Sequence, residues 1–345
     1  MASIFELVTS GAITAYWETQ QQNRNPYLGE ELFPNQQKLG LSIDWIKGSQ
    51  GLPVVLRPSA YGVQAMKRDR IGFEKLNMKM PFFKESTDID EELRQQLNMV
   101  LETGNQAYID SVMNRVFQDD VALIDGAAAQ RERMRMMALT TGAISISANG
   151  QNYDYDYGIP SNHKATVTKS WSDPTAPIID DIRKWQDEIE DDTGVRPTRA
   201  VCSRKTWSYF MKNSDIRNAI LGNNSSAPVS EAKVREYLIE ELSLDVAVYT
   251  KKYVSETGTK NSYVADDTFV IFPDGALGTG WFGTTPEQSD LMTGSAANVT
   301  ITDTGVAVTT IKNTDPVTVD TKVTMIYLPS FEAADQVFIA DVATD

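Results

Sequence analysis

The stretch MKRDRIGFEKLNMKM, residues 66–80, is the only strongly basic one in the chain, and what it packs against decides how the rest is read. Ile71, Phe73, Met78 and Met80 alternate roughly with polar residues, a period that predicts two strands of an arm rather than a helix. Over residues 57–85, seven Lys and Arg stand against three Asp and Glu, leaving +4. A lone two-stranded hairpin is marginal in water, so this arm needs a surface to lie on. Directly after it, residues 86–125 carry nine acids and two bases, a net −7. A basic arm first suggests nucleic acid. The whole chain, however, has net charge −15, and sequence-independent DNA binding runs on Lys and Arg neutralising phosphates. The complementary surface is protein.

Downstream, STDIDEEL (86–93) opens a helical region. Asp88 and Glu91 have capping-box spacing, and Ile89, Leu93, Leu97, Val100 and Leu101 line one face. Gly104 predicts a break, because glycine costs about 1 kcal/mol against alanine inside a helix. The period resumes with Tyr108, Ile109, Val112, Met113, Val116 and Phe117 and persists through AAAQRERMRMMAL to Gly142. ISISA, Asn149-Gly150 and QNYDYDYG then read as a hairpin, for which Asn-Gly is the strongest short signal. After SWSDPTAP comes an amphipathic helix over 178–192 with Ile178, Ile179, Ile182, Trp185 and Ile189 on its apolar face and Gly194 as its C-terminal cap. A strand (RAVCS), a helix (RKTWSYFMKN), a polar loop (GNNSSAPVS) and a helix (EAKVREYLIEEL) follow, and from 244 onward the chain is strands and turns. Upstream, residues 3–20 read as a helix, QQQNRNPYLGEELFPNQQ as an extended arm, and LGLSIDWI and GLPVVLRPSAYG as strands. The class is α+β.

Chemistry-bearing motifs are few. GTGWFG, with Gly278, Gly280 and Gly283, has the G-x-G-x-x-G spacing but lacks the following helix that would aim amides at a pyrophosphate. Glycines that relieve crowding between strands explain it better. DYDYG resembles a calcium loop only superficially, since Ala165 stands where a bidentate Glu is needed. The lone His163, in the loop PSNHK, is expected as an exposed bystander, and the lone Cys202 as a buried, inert thiol. One histidine excludes most triads and His-ligated metal sites, so no catalytic residue, cofactor or metal is expected. No apolar run approaches the roughly 20 residues of a membrane span, and MASIFELVTSGAITAYW lacks a basic targeting region. The expectation is a protein made in the cytosol and moved only as part of a larger assembly.

The order of these elements, together with PYLGEELFP (26–34), DTFVIFPDGALGTGWFG (267–283) and TMIYLPSFEAADQVFIADV (324–342), resembles the major capsid proteins of tailed bacteriophages that share the HK97 fold. Within that group the chain is similar to the lambda-type capsid protein E family. The resemblance implies an N-terminal arm over 1–53 and an E-loop over 54–85. It implies a P-domain from 86–172 and 320–345 with a spine helix over about 106–141, and an A-domain over 173–319, in which GTGWFG is a turn-rich connection. Residues 294–318 read as an extra strand-rich elaboration.

The function so implied is a virion shell subunit, assembled in the host cytoplasm. It would form hexamers and pentamers of an icosahedral head around double-stranded DNA that it encloses without specific binding. A separate scaffolding protein and a portal are implied as partners, with a decoration protein as an optional one, and no membrane. The basic arm then has its surface: Lys67, Arg68, Arg70, Ile71, Phe73, Lys75, Met78 and Met80 would contact a neighbouring copy, while Asn223, Asn224 and Ser225 would form a loop near a capsomer axis. Rival readings are another virion part (tail or baseplate) and a hydrolase built only on Asp and Glu.

Overall fold

The computed structural model describes residues 8–21, 24–47, 74–102, 106–222, 227–292 and 297–343. Its longest element is the 36-residue helix Gln106–Thr141, about 54 Å at 1.5 Å per residue. Its second half, AAAQRERMRMMAL, is rich in Ala, Met and Arg, residues with high helix propensity. Gly142 stops it in the left-handed region, φ 77°, where a Cβ would come within 2.8 Å of Ile159 Cδ1. The preceding helix, Glu91–Glu102, is separate. Its cap is Asp90, not Asp88: the Asp90 carboxylate accepts from Leu93 N at 2.8 Å. Asp88 and Ile89 instead end a strand, Phe82–Ile89, and Glu91 Oε1 accepts from Val317 N.

The chain divides into two compact units, each assembled from three separate stretches. The first holds Met1–Ile43, Met78–Met134 and Thr279–Pro329. It is organised by a sheet in the order Asn35–Gln37, Thr279–Phe282, Val319–Ser330, Val306–Lys312, Asn298–Thr302, with Phe82–Ile89 also paired to Val319–Ser330. Residues 279–319, grouped with the A-domain from sequence, therefore belong to this unit: Thr279–Phe282 and Val306–Lys312 pair with Val319–Ser330, and Asn298–Thr302 joins through Val306–Lys312. GTGWFG is a strand of this sheet and not a turn-rich connection. Nor is PYLGEELFP simply extended: it forms the short helix Leu28–Leu32, and Leu32 and Phe33 are fully buried. Of the helix expected over 3–20, residues 3–7 lie outside the described residues, as does the strand expected at GLPVVLRPSAYG; the described helix is Ser10–Gln21.

The second unit holds Asp44–Asn77, Arg135–Gly278 and Ser330–Asp345. Its sheet runs Lys164–Thr166, Phe338–Asp341, Thr268–Phe272, Arg199–Cys202, Asp245–Val248, with both outer pairings parallel and both inner ones antiparallel. Helix Ile178–Thr193 buries Ile178, Ile182, Trp185 and Ile189 and ends at Gly194 with φ 73°. Trp185 stacks with Trp171 and Phe338, ring centroids 5.6 and 5.3 Å apart, and Trp171 meets Phe210 and Phe269 at 5.3 and 5.2 Å. Such pairs add to area burial, and they make this cluster the unit's core. Ser203, Asn213 and Ser230 each cap the next helix, accepting from backbone N–H groups at its first turn. The hairpin Ala143–Ala148 with Gln151–Asp156 turns at Asn149 and Gly150, φ 51° and 72°, both positive as a type I′ turn requires.

Candidate functional site

Of the arm residues, Lys67, Arg68, Arg70, Ile71 and Phe73 lie outside the described residues, as do Asn223, Asn224 and Ser225 of the polar loop. The root of the arm is described. Strand Glu74–Lys79, which contains Lys75, pairs with Ser42–Lys47, and Asn77 Nδ2 donates to Asp44 Oδ1 at 2.6 Å. Its pairing partner comes from upstream, so the arm is not closed on residues 82–85, which belong to the strand Phe82–Ile89. Met78 is half-buried. Met80, expected to be covered by a neighbour, is already covered by its own unit: it is 3% exposed, and a Cβ at Gly283 would stand 3.0 Å from its Cε. Among the described residues, open apolar groups near this root are others, which alternation in the sequence did not single out: Leu39, Leu41 and Phe82, 86%, 53% and 40% exposed. Met80 N donates to Leu41 O at 2.8 Å, which places Leu39–Leu41 alongside Met80–Phe82.

The glycines of GTGWFG are accounted for by this neighbourhood. A Cβ at Gly280 would lie 2.6 Å from Tyr327 Oη, and one at Gly283 2.7 Å from Ile326 Cγ2 and 2.8 Å from Gly40 O. Backbone and side chains close in where no Cβ fits. Gly305 makes the same allowance for Phe282, whose ring also lies under the Arg131 guanidinium at 5.3 Å.

The long helix buries charged side chains as well as apolar ones. Met113, Val116, Asp120, Ile124, Ala127, Arg131, Met134 and Ala138 are all buried. Their spacing of three and four residues is one continuous stripe, so a charged residue at stripe spacing was the available signal. Arg131, 1% exposed, forms an ion pair with Asp303, and Glu132 Oε1 accepts from Gly29 N at 3.2 Å. Burial pushes the Asp120 carboxyl up to about 6, against a hydrogen bond from Thr321 that favours the ion, with Asp119 adding to the rise. Glu287 differs. Burial opposes its charge, yet Lys322 Nζ at 2.6 Å and Thr324 Oγ1 at 3.2 Å hold it below the usual carboxylate range. Asp125, near the middle of the long helix, accepts from Trp17 Nε1 at 3.0 Å, Gln21 Nε2 at 3.3 Å and Arg24 Nη1 at 2.6 Å, which ties the first helix to it.

His163 is not the exposed bystander its loop suggested. It is 1% exposed, its ring faces Phe338 at 6.2 Å, and its Nε2 lies 3.0 Å from Asp192 Oδ2. Asn162 Nδ2 donates to the same oxygen at 2.7 Å. That bond foremost, helped by His163, lowers the Asp192 carboxyl. The ring fills space beside the aromatic core, which PSNHK alone does not reveal. Cys202 is fully buried, and burial pushes its thiol up to about 12. Among the described residues no group of His, Cys, Asp and Glu is arranged to hold a metal ion, and no helix is long and apolar enough to cross a membrane.

A long helix packed against a sheet, a mixed second unit and a paired arm root are the elements of the HK97-type capsid subunit fold. A candidate capsid protein of a prophage from E. coli CFT073 superposes over 97% of this chain and 99% of its own, with TM-score 0.63 at 17% identity. A phage-related protein from Bordetella bronchiseptica RB50 does so over 95% and 96%, TM-score 0.53 at 12% identity. The subunit fold in a satellite phage P4 procapsid matches over 96% and 91%, TM-score 0.50 at 9% identity. No curated protein matches the chain significantly. The model of the phage major capsid protein E family matches residues 9–342, and the chain belongs to that family. It is a phage major capsid protein, a structural component of the virion.

Proposed function

We propose that this chain builds the head by self-association, forming hexamers and pentamers of an icosahedral shell that encloses double-stranded DNA without binding it specifically. The family match over residues 9–342 carries this reading. The net charge of −15 supports it, since a container for packaged DNA gains from weak affinity for phosphate. Residues 1–53 serve as an N-terminal arm and 54–81 as an E-loop, since residues 82–85 belong to the strand Phe82–Ile89. Because residues 279–319 share a sheet with Val319–Ser330, we place them in the P-domain with 86–134 and 320–329, and because Lys164–Thr166 and Phe338–Asp341 share the other sheet with Thr268–Phe272, we move 135–172 and 330–345, grouped with the P-domain from sequence, to the A-domain with 173–278. Scaffolding protein and portal act as separate partners during assembly in the host cytoplasm.

In this reading the basic arm lies on a neighbouring copy. Its +4 meets the −7 of residues 86–125, while Ile71 and Phe73 add apolar area. Exposed ion pairs contribute only about 0–1 kcal/mol each and are screened beyond about 8 Å, so charge sets register while burial supplies most of the energy. The test reverses Lys67, Arg68 and Arg70 to Glu. The expected variant folds with an unchanged Tm as a free subunit but yields no regular shells in negative stain. Normal shells across a range of salt would remove the arm from the interface, and tubes or rings from the wild-type chain would reassign it to a tail or baseplate.

A further inference from the structure

The strand Phe82–Ile89 pairs on one side with Val319–Ser330 and on its other side with none of the described residues. Which backbone groups face outward follows from the register. Tyr327 N donates to Pro81 O at 3.3 Å, one step beyond the Ile326–Phe82 pair, so Phe83, Glu85, Thr87 and Ile89 turn their amides and carbonyls inward. Phe82, Lys84, Ser86 and Asp88 turn theirs outward. The strand is eight residues long with no proline or bulge, an open template for another strand.

Its side chains fit one particular partner. Lys84, Ser86 and Asp88 are exposed and share one face, and among the described residues neither Lys84 nor Asp88 has an ion-pair partner. Four residues apart on a strand they stand about 13 Å from each other, too far to meet within one chain. Across its own ladder Asp88 sits opposite Asp320, a like charge. An antiparallel copy of the same strand, related by a two-fold axis through Ser86, changes this. Lys84 of each copy then lies opposite Asp88 of the other, twice, and the pairs 84/88 and 86/86, whose backbone groups already point outward, become the hydrogen-bonded pairs of the new ladder, with 85/87 and 83/89 as the non-bonded pairs between them. Sliding by one residue sets outward groups against inward ones. Sliding by two sets Lys84 opposite Ser86, or opposite Asp90, whose carboxylate is taken up by Leu93 N.

We propose that the outer edge of Phe82–Ile89 is a self-complementary docking edge that joins two copies of this chain by antiparallel strand pairing about a two-fold axis at Ser86. The inference rests on the self-association reading and deepens it by naming a contact distinct from the arm. Opposite charges facing across strands contribute modestly, and each reversal acts twice at such an axis. Lys84→Asp and Asp88→Lys, made singly, are therefore expected to raise the concentration needed for assembly about tenfold, with the double exchange returning to within about twofold of wild type. Ser86→Cys is expected to give covalent dimers with a short thiol-bridging reagent in assembled material, the bridge mapping to position 86 in both chains. The parent, whose one thiol is buried, should give none. If single and double variants assemble alike, or position 86 bridges only to another site or another protein, the pairing is overturned while self-association stands. A wild-type chain that stays monomeric overturns both.

Discussion

Asp120 shows how one side chain couples this fold to pH. Its carboxyl is 2% exposed and is raised from 3.8 to about 6 by burial. The folded state therefore holds the proton more tightly than the unfolded state. The stabilising contribution is complete below pH 4 and is lost as pH rises through 6, a change of about 3 kcal/mol for two units of difference. Asp120→Asn keeps the shape and removes the titration. We expect its Tm to exceed that of the parent at pH 7 and to match it near pH 4, which calorimetry at several pH values would measure; parallel pH profiles would show that the carboxyl does not carry the effect. The residue was legible in part. Met113 and Val116 declared the stripe, but only the packed structure shows that Asp120, Ile124 and Arg131 continue it, since acids in an acidic chain are ordinarily solvated.

At the scale of elements, the sequence spoke most clearly where a local rule acts alone. The Asn149-Gly150 turn, the cap at Gly194 and the stop at Gly142 each need a positive φ, and each has it, at 51° and 72°, 73° and 77°. It spoke least where pairing is long-range. Nothing local in FFKESTDI says that it joins Val319–Ser330, whose nearest partner stands 230 residues on (Ile89 to Val319), so Asp88 and Ile89 looked like the start of a helix. GTGWFG likewise shows its reason only against Tyr327, Asn35, Ile326 and Gly40. Gly280→Val should therefore destabilise the first unit by about 2 kcal/mol through overpacking, read as a lower urea midpoint. Titration calorimetry with a dinucleotide should record no binding before or after the change. Micromolar binding that the variant abolishes would reverse this account of the motif.

At the scale of the whole molecule, we propose the connection between helices Ser214–Leu221 and Glu231–Leu242 as a tip, and Asn223, Asn224 and Ser225, outside the described residues, fall within it in sequence. If that tip crowds around a capsomer axis, limited proteolysis should cut it in free subunits and spare it in shells, and equal cutting in both would move it away from the axis. The interleaving of the two units has another consequence, for synthesis. The first sheet is built on Val319–Ser330, and the second has Phe338–Asp341 inserted between Lys164–Thr166 and Thr268–Phe272. A chain leaving the ribosome at about 5–20 residues per second thus waits more than ten seconds, from its first sheet strand onward, with neither sheet able to close. A product broken off before residue 319 lacks the strand around which the first sheet is built and the inner strand of the second. Quality control is thereby written into the order of the strands, and an unfinished subunit has no completed surface to offer a growing shell.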